Sequence, residues 1–321
     1  MIPDALSLLL ILIIAFLFSG ALAPFEALGW WAGWFGRQKE DIAKTAEPVQ
    51  KPSQAKHFVI FLTGIHSVSE ASFARREIAL LEQLRKRMPD AMILELFPYS
   101  VTNQALTGQR FFAWFWRLAL KLKLSRLAFA GFIINMRNIW QVAVSADRRY
   151  GPIYNQGTAE SMALTLRRHG YTFHSGTPIT LIGYSGGGQI AIGAAPYLKE
   201  IIQAPITIIS MGGIMCSDPG LGAIDRLYHL YGRRDRVQRL GFLLFPGRWP
   251  LLPYSAWNQA LHDGHIQLVD MGPVDHTGKD GYLDSQQKLP DGRSYLEQTV
   301  ATITAIIEEK SVSSALWFGR S

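Results

Sequence analysis

The 321-residue chain contains a single cysteine, Cys216, and its eight histidines do not follow the spacing of metal ligands. One thiol cannot form an internal disulfide or a cysteine-based metal cluster, and it leaves the redox compartment open. The chain also lacks a His-Glu-x-x-His motif. The sequence therefore predicts neither a structural disulfide nor a metal cofactor.

Signatures of nucleotide and nucleic-acid binding are missing as well. The glycine-rich turn at 183–188 has no Gly-Lys-Ser/Thr, which a P-loop requires, and its glycines do not follow Gly-x-Gly-x-x-Gly. The net charge of +7 is spread over scattered arginine pairs without a recognised DNA- or RNA-binding module. We expect no nucleotide cofactor and no nucleic-acid partner, whereas attraction to anionic lipid fits the charge better.

The first 36 residues predict a membrane anchor. Residues 5–23 carry no charge, and nineteen helical residues rise about 28 Å, close to the thickness of a bilayer's hydrocarbon core. Three tryptophans between positions 30 and 34 follow, as an aromatic belt would. The competing interpretation is a signal peptide cleaved after 21–23, but no basic residue precedes the apolar run and Pro24 follows it. Basic residues after this single span predict that the remaining chain lies on the cytoplasmic side.

Residues 37–56 are polar, contain two prolines, and predict a linker to a domain that spans residues 57–321. From His57, short apolar runs alternate with helical patterns. This alternation predicts an α/β fold with a mostly parallel sheet flanked by helices. The predicted strands are 58–62, 91–96, 178–184, 206–211, 227–231 and 265–271, and the predicted helices are 69–87, 158–168, 187–202 and 294–309.

One segment, residues 101–150, interrupts this alternation. It contains an aromatic helical pattern over 110–121, with Arg110, Arg117 and Lys121 on one stripe, and then a second apolar stretch. A basic stripe beside Trp and Phe is typical of a helix in a membrane interface, but it also fits a helical insertion buried over the domain. Both interpretations stay open, and both predict a helical cap or lid.

The most informative motif is Gly-Tyr-Ser-Gly-Gly at 183–187, between an apolar β-branched run and a run of small apolar residues. A serine on a sharp strand-to-helix turn, with glycine two residues before and after it, has the form of a nucleophile elbow. Glycine at these positions lets the strand and helix approach closely. The motif therefore predicts that Ser185 is a nucleophile.

A serine nucleophile needs a base, and the base needs an acid to orient it. On a parallel sheet of this kind the chain order is serine, acid, histidine, each after a later strand. Asp235 follows the predicted strand 227–231, and His276 follows 265–271, which predicts both at the sheet edge that holds Ser185. Asp218 is the alternative acid, and a surface Asp235 paired with neighbouring arginines is the alternative interpretation.

The oxyanion formed in such a reaction needs hydrogen-bond donors. The backbone N–H of Gly186, directly after the serine, is one expected donor. The other is expected from the loop after the first strand, where Thr-Gly-Ile at 63–65 places the N–H of Ile65. His66 precedes the serine in the chain, so we expect it to have only a positional role.

Over residues 57–310 the chain resembles the α/β-hydrolase fold superfamily. The resemblance rests on 183–187, on Gly-Arg-Arg-Asp-Arg-Val at 232–237, on Asp-His-Thr-Gly at 275–278 and on Thr-Gly-Ile at 63–65. Many members have His-Gly where this chain has Thr-Gly, so the second oxyanion donor departs from the usual pattern. The resemblance implies ester, thioester, amide or epoxide chemistry, and some members have lost catalysis.

The sequence thus predicts a membrane-associated serine hydrolase that uses Ser185, Asp235 and His276 to cleave carboxylic esters through an acyl-enzyme. The anchor and the aromatic insertion favour lipidic or apolar acyl substrates and contact with membrane lipid. Acyl transfer or thioester cleavage by the same serine, and a non-catalytic membrane scaffold on this fold, are the alternatives.

Overall fold

The computed structural model of the chain describes residues 23–33, 51–67, 74–100 and 128–308, together with positions 10, 13, 14, 17 and 20. Most of the predicted anchor, the linker up to residue 50 and residues 101–127 of the insertion lie outside the described residues. In the part of the chain that is described, no helix combines the length and apolar character needed to cross a membrane.

Six parallel strands form one sheet in the order β2-β1-β3-β4-β5-β6. The predicted strands match these elements to within one residue at each end, because buried parallel strands are short, nearly continuous apolar runs. The prediction of an α/β class with a mostly parallel sheet is confirmed. The strands are β1 (His57–Leu62), β2 (Ala91–Leu96), β3 (Ile179–Tyr184), β4 (Ile206–Met211), β5 (Arg226–Tyr231) and β6 (Ile266–Asp270).

Helices flank the sheet, as predicted. The short helices Arg239–Leu244 and Ala256–His262 were not predicted, and among the predicted helices the largest difference lies in the one expected at 158–168, which begins at Gly151. Pro152 is accepted because the first turn of a helix has no intrahelical N–H donor to lose. The described α-helices are α1 (Pro24–Trp31), α2 (Arg75–Arg87), α3 (Ala128–Ala146), α4 (Gly151–Arg168), α5 (Gly187–Ile202), α6 (Arg239–Leu244), α7 (Ala256–His262) and α8 (Tyr295–Ile307).

The two faces of the sheet carry separate hydrophobic cores, because successive side chains of a strand point to opposite faces. In β1, Ile60 and Leu62 pack with the face covered by α4 and α5. Val59 and Phe61 pack with the opposite face, where α2 and α8 lie. Both faces of the sheet are therefore covered by helices.

The strand order locates a crevice at one edge of the sheet. The chain starts at β1, moves outward to β2, and then returns to the other side of β1 to form β3. Such a reversal separates the loops after β1 and β3, and ligands of open α/β sheets bind outside the carboxyl ends of strands at this point. Ser185 directly follows β3.

Candidate active site

Ser185 lies in the tight turn between β3 and α5, with a backbone φ of +54°. This left-handed region is uncommon for residues that carry a Cβ, so the surrounding hydrogen bonds must hold the conformation. The Ser185 N–H donates to the Met211 carbonyl at 3.0 Å, and the Ser185 carbonyl accepts from the N–H groups of Gly188 at 3.1 Å and Ile214 at 3.3 Å. The turn is thus fixed by β4 and by the first turn of α5.

Gly183 allows the strand and the helix to approach this closely. A Cβ at position 183 would lie 2.6 Å from both the N and the Cα atoms of Gly188, which belong to the helix backbone. Backbone atoms cannot rotate away as a flexible side chain can. Glycine is therefore required here for lack of space, and the backbone contact sets the angle at which Ser185 leaves the sheet.

Gly183→Ala is expected to lower the free energy of unfolding by about 3 kcal/mol, because the added methyl group overlaps the α5 backbone. Urea unfolding measures the change. Gly222→Ala is the matched control, since a Cβ there meets nothing within 4 Å. Equal unfolding midpoints for the two variants would contradict the close packing of β3 against α5.

The three side chains predicted as a triad lie together at the carboxyl edge of the sheet. His276 Nε2 is 2.9 Å from Ser185 Oγ, and His276 Nδ1 is 2.8 Å from Asp235 Oδ2. Ser185 and His276 are only 5% and 6% exposed, and Asp235 is fully buried. The imidazole therefore bridges the hydroxyl and the carboxylate within a site largely shielded from water.

The contacts of Asp235 exclude the surface interpretation considered from the sequence. Oδ1 accepts the Gln238 N–H at 2.9 Å, and Oδ2 accepts the Tyr282 hydroxyl at 3.1 Å in addition to its contact with His276. The neighbouring Arg233 instead pairs with Asp270 at 2.8 Å. The carboxylate is thus buried, and its Oδ2 is shared between the imidazole and the Tyr282 hydroxyl.

The alternative acid, Asp218, points elsewhere. Its carboxylate accepts from Gln189 Nε2 at 3.1 Å and from the Gly220 N–H at 2.8 Å, where it caps a short 3₁₀ turn. Burial raises the pKa of this carboxyl group. The nearby thiol of Cys216 also has its pKa raised, to about 12, mainly by burial, so it stays protonated and is a poor nucleophile at neutral pH.

Two tyrosines position the histidine and its acid. The Tyr184 hydroxyl donates to the His276 carbonyl at 2.8 Å, and the two rings stack with centroids 5.6 Å apart. Burial raises the pKa values of both Tyr184 and Tyr282, so each keeps its proton and acts as a donor. No periodicity or motif pointed to Tyr282, because it reaches Asp235 from a different loop.

Gly212, directly after β4, provides the space for the acid and the histidine. Its φ is +55°, and a Cβ would lie 2.6 Å from Asp235 Oδ2 and 3.1 Å from His276 Nδ1. A side chain here would separate the carboxylate from the imidazole. Gly212 was not identified from the sequence, since a glycine after a strand is ordinarily interpreted as a turn residue.

The two predicted oxyanion donors belong to neighbouring residues. A Cβ on Gly186 would lie 3.1 Å from Ile65 Cγ2, so the loop after β1 lies beside the Ser185 turn. Among the described residues, neither amide N–H donates to a protein acceptor. The Gly64 carbonyl accepts the Ser67 N–H at 3.4 Å, and a trans peptide then directs the Ile65 N–H out of that turn.

The structure combines a parallel sheet with a strained serine turn between a strand and a helix. The serine, aspartate and histidine that meet at this turn follow each other in that order along the chain. This architecture fits the α/β-hydrolase fold. No family model matches the chain, and no curated protein matches it.

Three solved structures are similar to this chain at low identity. TT1662 from Thermus thermophilus is 15% identical, with 81% of this chain and 90% of that chain covered and a TM-score of 0.40. A candidate cell surface hydrolase from Lactobacillus plantarum WCFS1 is 11% identical, and the match covers 83% of this chain and 96% of that chain with a TM-score of 0.38. A lipase-esterase related protein from Clostridium acetobutylicum ATCC 824 is 10% identical, and the match covers 81% of this chain and 96% of that chain with a TM-score of 0.32. Function therefore has to be inferred from the site itself.

Glu77 holds the loop that is predicted to carry an oxyanion donor, and sequence reasoning missed it. Its carboxylate, fully buried at the start of α2, accepts from the Thr63 hydroxyl at 2.7 Å and the Gly64 N–H at 3.3 Å, and contacts His66 Nε2 at 3.2 Å. His66 is thus in contact with Glu77, and the positional role expected for it stays a prediction. A signal was present, because Glu77 occupies the same helical stripe as Leu80, Leu81 and Leu84.

Glu77→Gln is expected to lower kcat for ester hydrolysis about 10- to 100-fold with a small change in KM. The amide keeps the shape but has one acceptor oxygen where the carboxylate has two. It cannot accept both from Thr63 and Gly64 on one side and from the Ala74 N–H on the other, which weakens the hold on the loop that carries Ile65. Complete loss of one oxyanion donor costs about 10²- to 10³-fold, so a displaced donor should cost less. Glu82→Gln, on the exposed side of the same helix, is the control and should leave kcat unchanged. Equal kcat values for both variants would contradict this role of Glu77.

The described half of the predicted insertion is helix α3, which packs against α4 and α5. Asn138 Nδ2 donates to the carbonyls of Ile65 at 2.6 Å and Ser67 at 2.8 Å, so α3 holds the same loop from the side opposite Glu77. A Cβ on Gly186 would lie 2.6 Å from Val142 Cγ2. This half of the insertion therefore packs against the Ser185 turn, while its role as a lid stays a prediction.

Among the residues that the structure describes, no group of three or more His, Cys, Asp or Glu side chains could hold a metal ion.

Proposed function

We propose that the protein is a membrane-associated serine hydrolase that cleaves carboxylic esters with lipidic or otherwise apolar acyl groups. One observation carries the chemical part of the proposal: a single buried imidazole lies within 2.9 Å of the Ser185 hydroxyl and 2.8 Å of the Asp235 carboxylate. A hydroxyl bonded to a base, with the base oriented by an acid, is the arrangement that activates a serine.

Ser185 Oγ attacks the ester carbonyl while His276 Nε2 takes the hydroxyl proton. Asp235 keeps the other ring nitrogen, Nδ1, protonated and stabilises the imidazolium that forms. The N–H groups of Gly186 and Ile65 donate to the oxyanion of the tetrahedral intermediate. His276 then gives its proton to the leaving alcohol, and water releases the acid from Ser185 by the same steps.

The proposed substrate class rests on two segments of the sequence. An uncharged run at 5–23 and an aromatic helical pattern with a basic stripe at 110–121 favour a single-pass anchor, with the catalytic domain on the cytoplasmic side and esters drawn from the bilayer. The serine chemistry is proposed from Ser185, His276 and Asp235 alone. An experiment can therefore contradict the proposed substrate class without contradicting the proposed reaction type, and the reverse.

A panel of p-nitrophenyl esters of increasing acyl length tests the proposal. We expect hydrolysis that depends on Ser185 and a kcat/KM that rises with acyl length. Product analysis with competing alcohols separates hydrolysis from acyl transfer, because a transferase would form the new ester in preference to the free acid. A folded protein without ester, thioester or amide turnover would instead favour the non-catalytic scaffold.

A further inference from the structure

One exposed segment of the domain, residues 237–254, is unusually apolar. Between residues 51 and 308, nine of the thirteen large apolar side chains that are exposed in the described structure lie in this segment. Single exposed apolar side chains are normal on soluble proteins, whereas a contiguous set marks an interaction surface. We call this segment the apolar ridge; its most exposed members are Phe242, Leu243, Leu244, Leu251 and Tyr254.

Side-chain hydrogen bonds hold the backbone of the apolar ridge in place. Trp249 Nε1 donates to the Phe242 carbonyl at 2.7 Å and so joins α6 to the loop that follows it. Asn258 Nδ2 donates to the carbonyls of Trp249 at 2.7 Å and Leu252 at 2.9 Å. The backbone that carries the exposed leucines and aromatic side chains is thus held by hydrogen bonds from α7.

The charged residues within and next to the ridge segment in the sequence have one sign. No aspartate or glutamate occurs from residue 236 to residue 262, and the charged residues of this stretch are Arg236, Arg239 and Arg248. Arg248 is turned inward, with its guanidinium 3.9 Å from the centre of the Trp257 ring. Arg236 and Arg239 are exposed at the start of the ridge. An apolar surface edged with exposed arginines complements an anionic lipid headgroup layer.

The ridge begins directly beside the triad acid. The Gln238 N–H donates to Asp235 Oδ1 at 2.9 Å, and Gln238 Oε1 is 3.1 Å from His229 Nε2. The ridge therefore leaves the sheet at the carboxyl edge that holds Ser185 and His276. A surface bound at the start of the ridge therefore lies near the carboxyl edge that holds Ser185.

We propose that the apolar ridge inserts into the interface of an anionic lipid bilayer and holds the carboxyl edge of the sheet against it. Tyr254 and Trp249 suit the headgroup layer, where amphipathic aromatic side chains are favoured. The leucines and Phe242 enter the acyl boundary, while Arg236 and Arg239 bind lipid phosphates. This contact is distinct from the predicted N-terminal anchor, and it does not depend on the protein being catalytically active.

A local probe tests the contact in the full chain, so that binding through residues 5–23 cannot imitate it. In a Cys216→Ala background, Leu243→Cys carries an environment-sensitive NBD label. Vesicles of phosphatidylcholine with phosphatidylglycerol, with and without nitroxide-labelled lipid, provide the membrane. Leu268→Cys is the matched control, because Leu268 is similarly exposed but lies on β6. Tyr254→Cys repeats the test at the second half of the ridge.

We expect the label at 243 or 254 to shift to the blue and to be quenched several-fold by nitroxide lipid, while the label at 268 does neither. Arg236→Gln and Arg239→Gln should each lower the ratio of docked to undocked protein about fivefold on anionic vesicles. Labels at 243 and 254 that stay in water on vesicle-bound protein would overturn the proposal. So would an equal response at 268, or shielding without lipid that rises with protein concentration, which would assign the ridge to a second copy of the chain.

Discussion

Replacing Ser185 with alanine, His276 with alanine, or both together is expected to lower kcat for ester hydrolysis to one shared residual level, on the order of 10⁶ below the parent. The two side chains act as a unit, because the hydroxyl is a poor nucleophile without the imidazole and the imidazole has no role without the hydroxyl. The 2.9 Å contact between them is the structural basis of this expectation. Steady-state kinetics on a p-nitrophenyl ester measures it.

The chain provides a matched control for this experiment. Ser210 Oγ and His229 Nδ1 form a second serine–histidine contact of 3.3 Å, but both residues are buried and the other ring nitrogen meets Gln238 instead of an acid. Burial lowers the pKa of His229 to about 3, so it remains neutral. Ser210→Ala should keep kcat within a few-fold of the parent. Additive losses in the Ser185/His276 double variant would contradict a shared mechanism.

Asp235→Asn is expected to lower kcat on the order of 10⁴-fold while the protein stays folded. The amide is nearly isosteric with the carboxylate, but it cannot stabilise the imidazolium, and it presents a donor where His276 Nδ1–H now donates. The imidazole would then favour the tautomer with its proton on Nε2, facing Ser185. Kinetics of the variant, together with its urea unfolding curve, separate the loss of activity from loss of structure.

Asp218→Asn is the control, because the sequence left that residue as the alternative acid. The structure places its carboxylate on Gln189 and Gly220, away from the imidazole. We expect its kcat to remain within a few-fold of the parent. A loss at Asp218 as large as the loss at Asp235 would mean that the hydrogen bond to His276 is not the one used in catalysis.

Local signals made the sheet and the serine turn predictable. Each strand is an apolar run bounded by turn residues, and the two-residue spacing of the glycines around Ser185 follows from a clash that any side chain at Gly183 would create. The chain order of the later acid and histidine then limited the choice to a few residues. The coarse fold and the residues that meet at its edge therefore follow from short stretches of sequence.

The groups that hold the site in place were not predictable in the same way. Tyr282 reaches Asp235 across 47 positions of sequence, and Asn138 reaches the loop at Ile65 from 73 positions away. Such contacts depend on how elements pack, which composition and periodicity do not encode. Glu77 was the exception, since a carboxylate on an apolar helical stripe is itself a signal of a buried polar contact.

The central claim, that Ser185 is a nucleophile activated by His276, is tested most directly by a fluorophosphonate probe and mass spectrometry of the labelled peptides. We expect one covalent adduct per chain, on the peptide that contains Ser185. The adduct should be lost in Ser185→Ala and form far more slowly in His276→Ala, while Ser210→Ala labels like the parent. An adduct that persists unchanged in Ser185→Ala, or that forms as quickly without His276, would contradict the claim.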